Sequence, residues 1–124
     1  MKRADYKFMR TRDGVTRFAN VTILATPNDG WELSLEALSD PIQKAYEADA
    51  RAGLHIAMDA HERCGGVPCK LTVENLIHIW VDASSDAVTC ASAIAAWLSL
   101  GHEEHDAQLA YEGGRWTVSI GPRG

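Results

Sequence analysis

The feature that most constrains the fold of this chain is a change in the spacing of its apolar residues. From Arg17 to Ala25 apolar residues alternate with polar ones, a period of two that is typical of a half-buried β-strand. After Pro41 the apolar residues recur at helical spacing as far as about His61, and Asp40 can cap a helix that begins at Pro41. A chain that changes period in this way predicts an α+β fold.

Three strands are predicted before this helix. A strand from Tyr6 to Thr11 pairs with the Arg17–Ala25 strand through Asp13-Gly14, a dipeptide typical of tight hairpins. Pro27 to Gly30 form a turn, because Asn and Gly tolerate positive φ and Pro fixes its own. The residues from Trp31 to Glu36 alternate again, so we expect a strand that runs antiparallel to the one before it.

Two more strands, a second helix and a hairpin are predicted after the first helix. Cys69 to Val73 is extended, and the apolar run from Leu76 to Val81 indicates a separate, well-covered strand. Asp82 is the expected cap of a helix that Gly101 ends, and Ala107 to Ile120 form a terminal hairpin. The predicted order is β-β-β-α-β-β-α-β-β, in a two-layer sandwich with two helices on one face of a mixed sheet.

Composition limits the classes of function. We interpret residues 1–124 as a single domain, and the net charge of −5 argues against a protein that coats nucleic acid through its total charge. A local basic patch remains compatible with that net charge. The basic residues early in the chain are interpreted as the solvated face of a strand: Lys2, Arg3, Lys7, Arg10, Arg12 and Arg17. Three cysteines, no signal-like leader and no span for a membrane predict a cytoplasmic protein with reduced thiols.

Four short motifs resemble the fourth domain of elongation factor G, and their order and spacing agree from about residue 14 to residue 100 with one single-residue slip near Arg63. They are Phe18-Ala19-Asn20-Val21-Thr22-Ile23, Ala52-Gly53-Leu54-His55-Ile56-Ala57, Gly65-Gly66-Val67-Pro68-Cys69 and Val81-Asp82-Ala83-Ser84. The resemblance implies a left-handed β-α-β crossover, a topology shared with a small-subunit ribosomal protein and the GHMP kinases. Periodicity alone would have favoured the usual right-handed connection.

The sequence departs from that family at the loop that reaches the decoding centre. The family has a G-x-x-H-D tip there, whereas this chain has Leu76, Ile79 and Trp80 at the glycine, histidine and acidic positions. Decoding chemistry is therefore not implied. The expected binding segment comprises His78, Ile79, Trp80, Asp82 and Ser84. Because apolar side chains of this number are not normally left in water, we expect this segment to be covered either by the terminal hairpin or by a protein partner, including a second copy in a homodimer.

Motifs for catalysis and cofactors are weak. No Gly-x-x-x-x-Gly-Lys-[Ser/Thr] sequence is present, so GTP binding is not expected. His61, Cys64 and Cys69 could bind zinc, with His102 or Cys90 as a fourth ligand, but small packed cysteines are the favoured interpretation. The pair His102 and His105 is interpreted as part of an acidic loop, and no catalytic residue, metal or cofactor is predicted.

These observations predict a non-enzymatic binding or assembly module that lacks a GTPase. Association with the ribosome or RNA follows from the resemblance alone. The alternative is a small enzyme on the same scaffold, dependent on a metal held by its histidine and cysteine residues.

Overall fold

The computed structural model describes residues 2–77 and 84–121. Six strands and three α-helices follow one another in this part of the chain. They are β1 (Arg3–Arg12), β2 (Val15–Pro27), β3 (Glu32–Ser34), α1 (Pro41–Ala45), α2 (Glu47–Arg63), β4 (Cys69–Ile77), α3 (Ser85–Ser99), β5 (Ala107–Glu112) and β6 (Arg115–Ile120), with a short 3₁₀ turn at Glu104–Asp106.

The strands β1 and β2 form the predicted hairpin. Asp13 and Gly14 have φ values of 54° and 76°, the left-handed pair that a two-residue hairpin turn requires. The turn fixes the register, so Arg10 lies opposite Arg17 and Phe8 opposite Ala19. The hairpin prediction is confirmed, and so is the terminal hairpin, in which β5 pairs with β6 as a separate two-stranded sheet.

The pairing predicted for the third strand is wrong. The main sheet has the order β1-β2-β4-β3, and β3 is only three residues long and runs parallel to β4. On the side of β2 away from β1, β4 pairs with β2 in antiparallel orientation, from Asn20 opposite Ile77 to Pro27 opposite Cys69. The chain after Pro27 therefore passes to the far side of β4 and does not fold back on β2.

The two strands predicted between Cys69 and Val81 are one strand in the described residues. The register changes from Thr22–Asn75 to Ile23–Val73, so Glu74 is an extra residue in β4. This bulge shifts the alternation by one residue, and Leu76 is thereby buried on the same side as Val73. Residues 78–81 of the predicted second strand lie outside the described residues.

The first predicted helix is divided into α1 and α2 at Tyr46. The N–H of Tyr46 donates to the carbonyl of Gln43 at 3.0 Å, a tight three-residue turn that interrupts the α-helical ladder. Asp40 caps α1 as predicted, because its carboxylate accepts from the Gln43 N–H at 2.7 Å. The cap of α3 is Ser84, two residues beyond the predicted Asp82, which lies outside the described residues.

The layers agree with the predicted α+β sandwich. Helix α3 packs against β1 and β2, α2 packs on α3, and β6 contacts both helices. The largest fully buried side chains come from both layers: Trp97, Phe8, Ile23, Leu38, Leu54 and Leu71. The connection between the parallel strands β3 and β4 runs through α1 and α2. Its left-handedness stays a prediction from the resemblance.

Candidate functional site

Arginine and aromatic side chains gather where the two hairpins meet. Tyr111 and Trp116 are opposite one another in the β5–β6 hairpin. The guanidinium of Arg12 lies 5.9 Å from the Tyr111 ring centre and 5.5 Å from that of Trp116. The guanidinium of Arg17 lies 5.6 Å from the Tyr111 ring centre. These distances are within the range of cation–π attraction.

We call this region the arginine–aromatic surface, and it comprises Arg10, Arg12, Arg17, Arg115, Tyr111 and Trp116. Arg10 joins it through Phe8, whose ring lies 5.6 Å from the Arg10 guanidinium and 5.6 Å from the Trp116 ring. Arg12 and Arg115 are exposed, while Trp116 is buried and Tyr111 is half-buried. Cationic groups are thus displayed around a partly covered aromatic floor.

Only one of the four arginines has an ion pair within residues 2–77 and 84–121. The Arg17 Nε lies 3.3 Å from the Asp86 carboxylate, whereas Arg10, Arg12 and Arg115 have no carboxylate of a described residue within 4.0 Å. Two acidic residues are near in sequence: Asp13 in the first turn and Glu112, which is opposite Arg115. The arginine–aromatic surface is therefore locally basic in a chain of net charge −5.

Asp86 ties the elements of this region together. Its carboxylate accepts from the Trp116 N–H at 2.8 Å, the Ala87 N–H at 2.9 Å and the hydroxyl of Ser84. Burial alone would raise the pKa of Asp86, but these hydrogen bonds and the Arg17 charge outweigh it and hold the pKa below its usual value. A carboxylate with this many donors is a structural anchor and not a free general base.

Two cavities adjoin beside Asp86 and Arg115. The first, which we call the polar cleft, has a volume of about 270 Å³ and is lined by Arg17, Ser84, Ser85, Asp86, Gly114 and Arg115. The second, which we call the apolar cavity, has a volume of about 250 Å³ and is lined by Ile56, Asp86, Thr89, Cys90, Arg115, Trp116, Thr117 and Val118. Because Asp86 and Arg115 line both, a ligand could extend from one cavity into the other.

The sequence identified this site only in part. Of the five residues predicted to bind, Ser84 lines the polar cleft, while His78, Ile79, Trp80 and Asp82 lie outside the described residues. Arg10, Arg12 and Arg17 belong to the early basic group, and the Asp13-Gly14 turn that places Arg10 opposite Arg17 was visible in the sequence. The approach of Arg115 and Tyr111 from the terminal hairpin carried no local signal.

A second cluster forms where α2 ends, around His61. Its Nε2 lies 3.0 Å from the Val67 carbonyl oxygen, which can only accept, so Nε2 carries the hydrogen. In the neutral tautomer of His61 that this bond selects, Nδ1 accepts from the Nε2–H of His102, at 2.8 Å. The His102 ring stacks on Trp97 at a centroid distance of 3.7 Å. Burial, followed by the neighbouring His61, lowers the pKa of His102.

This histidine pair has the geometry of packing and not of metal coordination. Two nitrogens bound to one tetrahedral zinc ion are roughly 3.3 Å apart, given zinc–nitrogen bonds of about 2.0–2.1 Å. The two ring nitrogens here are 2.8 Å apart and bonded to each other. The Cys69 thiol donates to the Val67 carbonyl, and Cys64 is exposed. Across the described ranges, no group of three or more His, Cys, Asp or Glu side chains is arranged to hold a metal.

Comparisons with known proteins bear on the fold alone. No family model matches the chain, and no curated protein does. The chain is similar to the crystal structure of a protein from Thermus thermophilus, with a TM-score of 0.56 and 23% sequence identity. The match covers 79% of this chain but 16% of that one, so it relates to a small part of the larger protein. No helix in the described residues is long and apolar enough to cross a membrane.

Proposed function

We propose that this domain is a non-enzymatic binding module that holds single-stranded RNA on the arginine–aromatic surface. The observation that carries the proposal is that Arg12 lies over Tyr111 and Trp116, with Arg10 joined to Trp116 through Phe8 and Arg115 next to Trp116 in β6. Among the described residues these three arginines have no ion pair. Guanidinium groups bind phosphates in a forked geometry, and aromatic rings stack bases without a strong sequence preference.

The internal chemistry favours binding over catalysis. The buried polar clusters around Asp86 and His61 have their hydrogen bonds made within the protein, so neither offers a free base or nucleophile in a cleft. The resemblance to the fourth domain of elongation factor G supports an RNA ligand and suggests ribosomal particles as its source.

The first test is fluorescence anisotropy with a labelled single-stranded 12-nucleotide RNA at 50 and 300 mM salt. Binding is expected at low salt and should weaken steeply as salt rises, because counterions are released from the phosphates. The Arg12→Gln/Arg115→Gln variant should bind at least about tenfold more weakly. If both arginines contact phosphate, its salt slope should fall by roughly 1.4, at about 0.7 per contact on a single strand.

The matched control is Lys7→Gln/Arg51→Gln, which removes the same two charges from exposed positions elsewhere. It should change the affinity less than twofold. Equal losses in the two double variants would place the binding surface elsewhere, and no binding by the native protein at 50 mM salt would refute the proposal. Copurification with ribosomal particles at low salt then asks whether they are the source of the RNA.

A further inference from the structure

The apolar cavity differs in chemistry from the polar cleft beside it. Ile56 of α2, Cys90 of α3 and Val118 of β6 supply its apolar lining. Burial raises the pKa of Cys90 to about 12, so its thiol stays protonated and behaves as a small apolar group. The Thr89 hydroxyl is already used, because it donates to the Asp49 carbonyl at 3.1 Å.

Trp116, which lines this cavity, has an unused hydrogen-bond donor. The residue is only 5% exposed, and its indole Nε1–H has no acceptor in the described part of the chain. Buried donors in proteins almost always have a hydrogen-bond partner. An incoming ligand with an acceptor oxygen would satisfy it.

We propose that the apolar cavity receives one carbonyl-bearing nucleobase, of which uracil is the smallest, from an RNA strand held by the arginine–aromatic surface. This inference rests on the proposed function. The cavity volume of about 250 Å³ suits one heterocycle and is below the roughly 300–1,000 Å³ of pockets for drug-sized ligands. The base carbonyl accepts from the Trp116 indole, and the ring packs between Ile56 and Val118.

The attached phosphate lies over the polar cleft. Arg115 lines both cavities and can reach a phosphate next to a base in the apolar cavity. Asp86 also lines both, but its oxygens already accept hydrogen bonds and its charge is paired with Arg17. The arginines position the strand, and the cavity contributes the preference for a base.

The experiment compares 12-residue oligouridylate with an abasic ribose–phosphate 12-mer of the same charge. The native protein should bind oligouridylate at least about tenfold more tightly, within the range expected for stacking and enclosing a base. Val118→Trp in β6 and Ile56→Phe in α2 each add volume at a residue that lines the cavity. Each should reduce oligouridylate binding to the abasic level without changing the salt slope. Trp116→Phe removes the N–H donor together with part of the indole ring and should weaken oligouridylate binding about fivefold.

Two results overturn the inference while leaving phosphate binding by the arginines of the arginine–aromatic surface intact. One is equal binding of the two oligomers by the native protein. The other is an undiminished preference for oligouridylate in both filling variants, each shown by cooperative melting to be folded. Absence of binding to either oligomer at low salt refutes the proposed function, and the inference with it.

Discussion

Gly53 allows α2 and α3 to approach each other, and Gly53→Ala tests how closely. Gly53 is buried inside α2, where glycine costs about 1 kcal/mol relative to alanine. A Cβ at this position would lie 2.5 Å from the carbonyl oxygen of Thr89 and 2.8 Å from the backbone nitrogen of Ala93. Both atoms belong to the backbone of α3 and cannot rotate away, so the helices would have to move apart.

The expected loss of stability is the cost of these backbone collisions minus the gain in helix propensity. Overpacking of a well-packed core costs typically 1–3 kcal/mol and occasionally more, and two backbone collisions indicate the upper end, about 3 kcal/mol. The gain in helix propensity returns about 1 kcal/mol. Gly53→Ala should therefore destabilise the protein by about 2 kcal/mol, a large part of the roughly 5–15 kcal/mol typical of a domain.

Urea denaturation followed by far-ultraviolet circular dichroism measures this change. With a slope of about 2 kcal/mol per molar, the midpoint should fall by about 1 M. The neighbouring Ala52, which is exposed in the same helix, provides the matched control. Ala52→Gly should cost about 1 kcal/mol through propensity alone. If Gly53→Ala instead raises the midpoint, the helices do not pack as described and the argument from close approach is wrong.

Three further predictions concern the buried polar clusters. Because folding lowers the pKa of His102, the unfolded chain takes up a proton at His102 at a higher pH than the folded protein does. Stability should fall as pH drops below about 6.5. The measurement is the fall in the urea midpoint between pH 7.5 and pH 5.0. His102→Gln should make this fall smaller, and the exposed control His55→Gln should leave it unchanged. Asp86→Asn should lower the stability measured by urea by about 3 kcal/mol, since it leaves Arg17 unpaired; a loss below about 1 kcal/mol would contradict the anchoring role. Gly66→Ala places a Cβ in collision with the His61 ring and should cost about 1–3 kcal/mol in the same assay, so an unchanged midpoint would be the contrary result.

Local patterns in the sequence were sufficient for most elements of the fold. The Asp13-Gly14 turn, the Asp40 cap and the alternation in β2 each act between residues near in the chain, and each was predicted correctly. The partner of β3 was not, because a strand can pair on either side and its choice depends on which edge β4 occupies. The bulge at Glu74 was equally hidden, since it is defined by the register with β2 and not by the residues of β4 alone.

The candidate site shows why function was harder to predict than fold. Arg17 donates to the Gly114 carbonyl at 3.0 Å across 97 residues of sequence, and this contact depends on how the terminal hairpin packs on α3. A basic residue on a strand is ordinarily solvated, and nothing near Arg12 in the sequence indicates that Trp116 will lie beneath it. The net charge of −5 by itself argues against RNA binding. A sum over the whole chain does not reveal a local group of three arginines that have no ion pair in the described residues. The Arg12→Gln/Arg115→Gln variant and its control Lys7→Gln/Arg51→Gln change the net charge equally. Comparing them therefore tests the position of the charges around the aromatic rings and not the net charge of the chain.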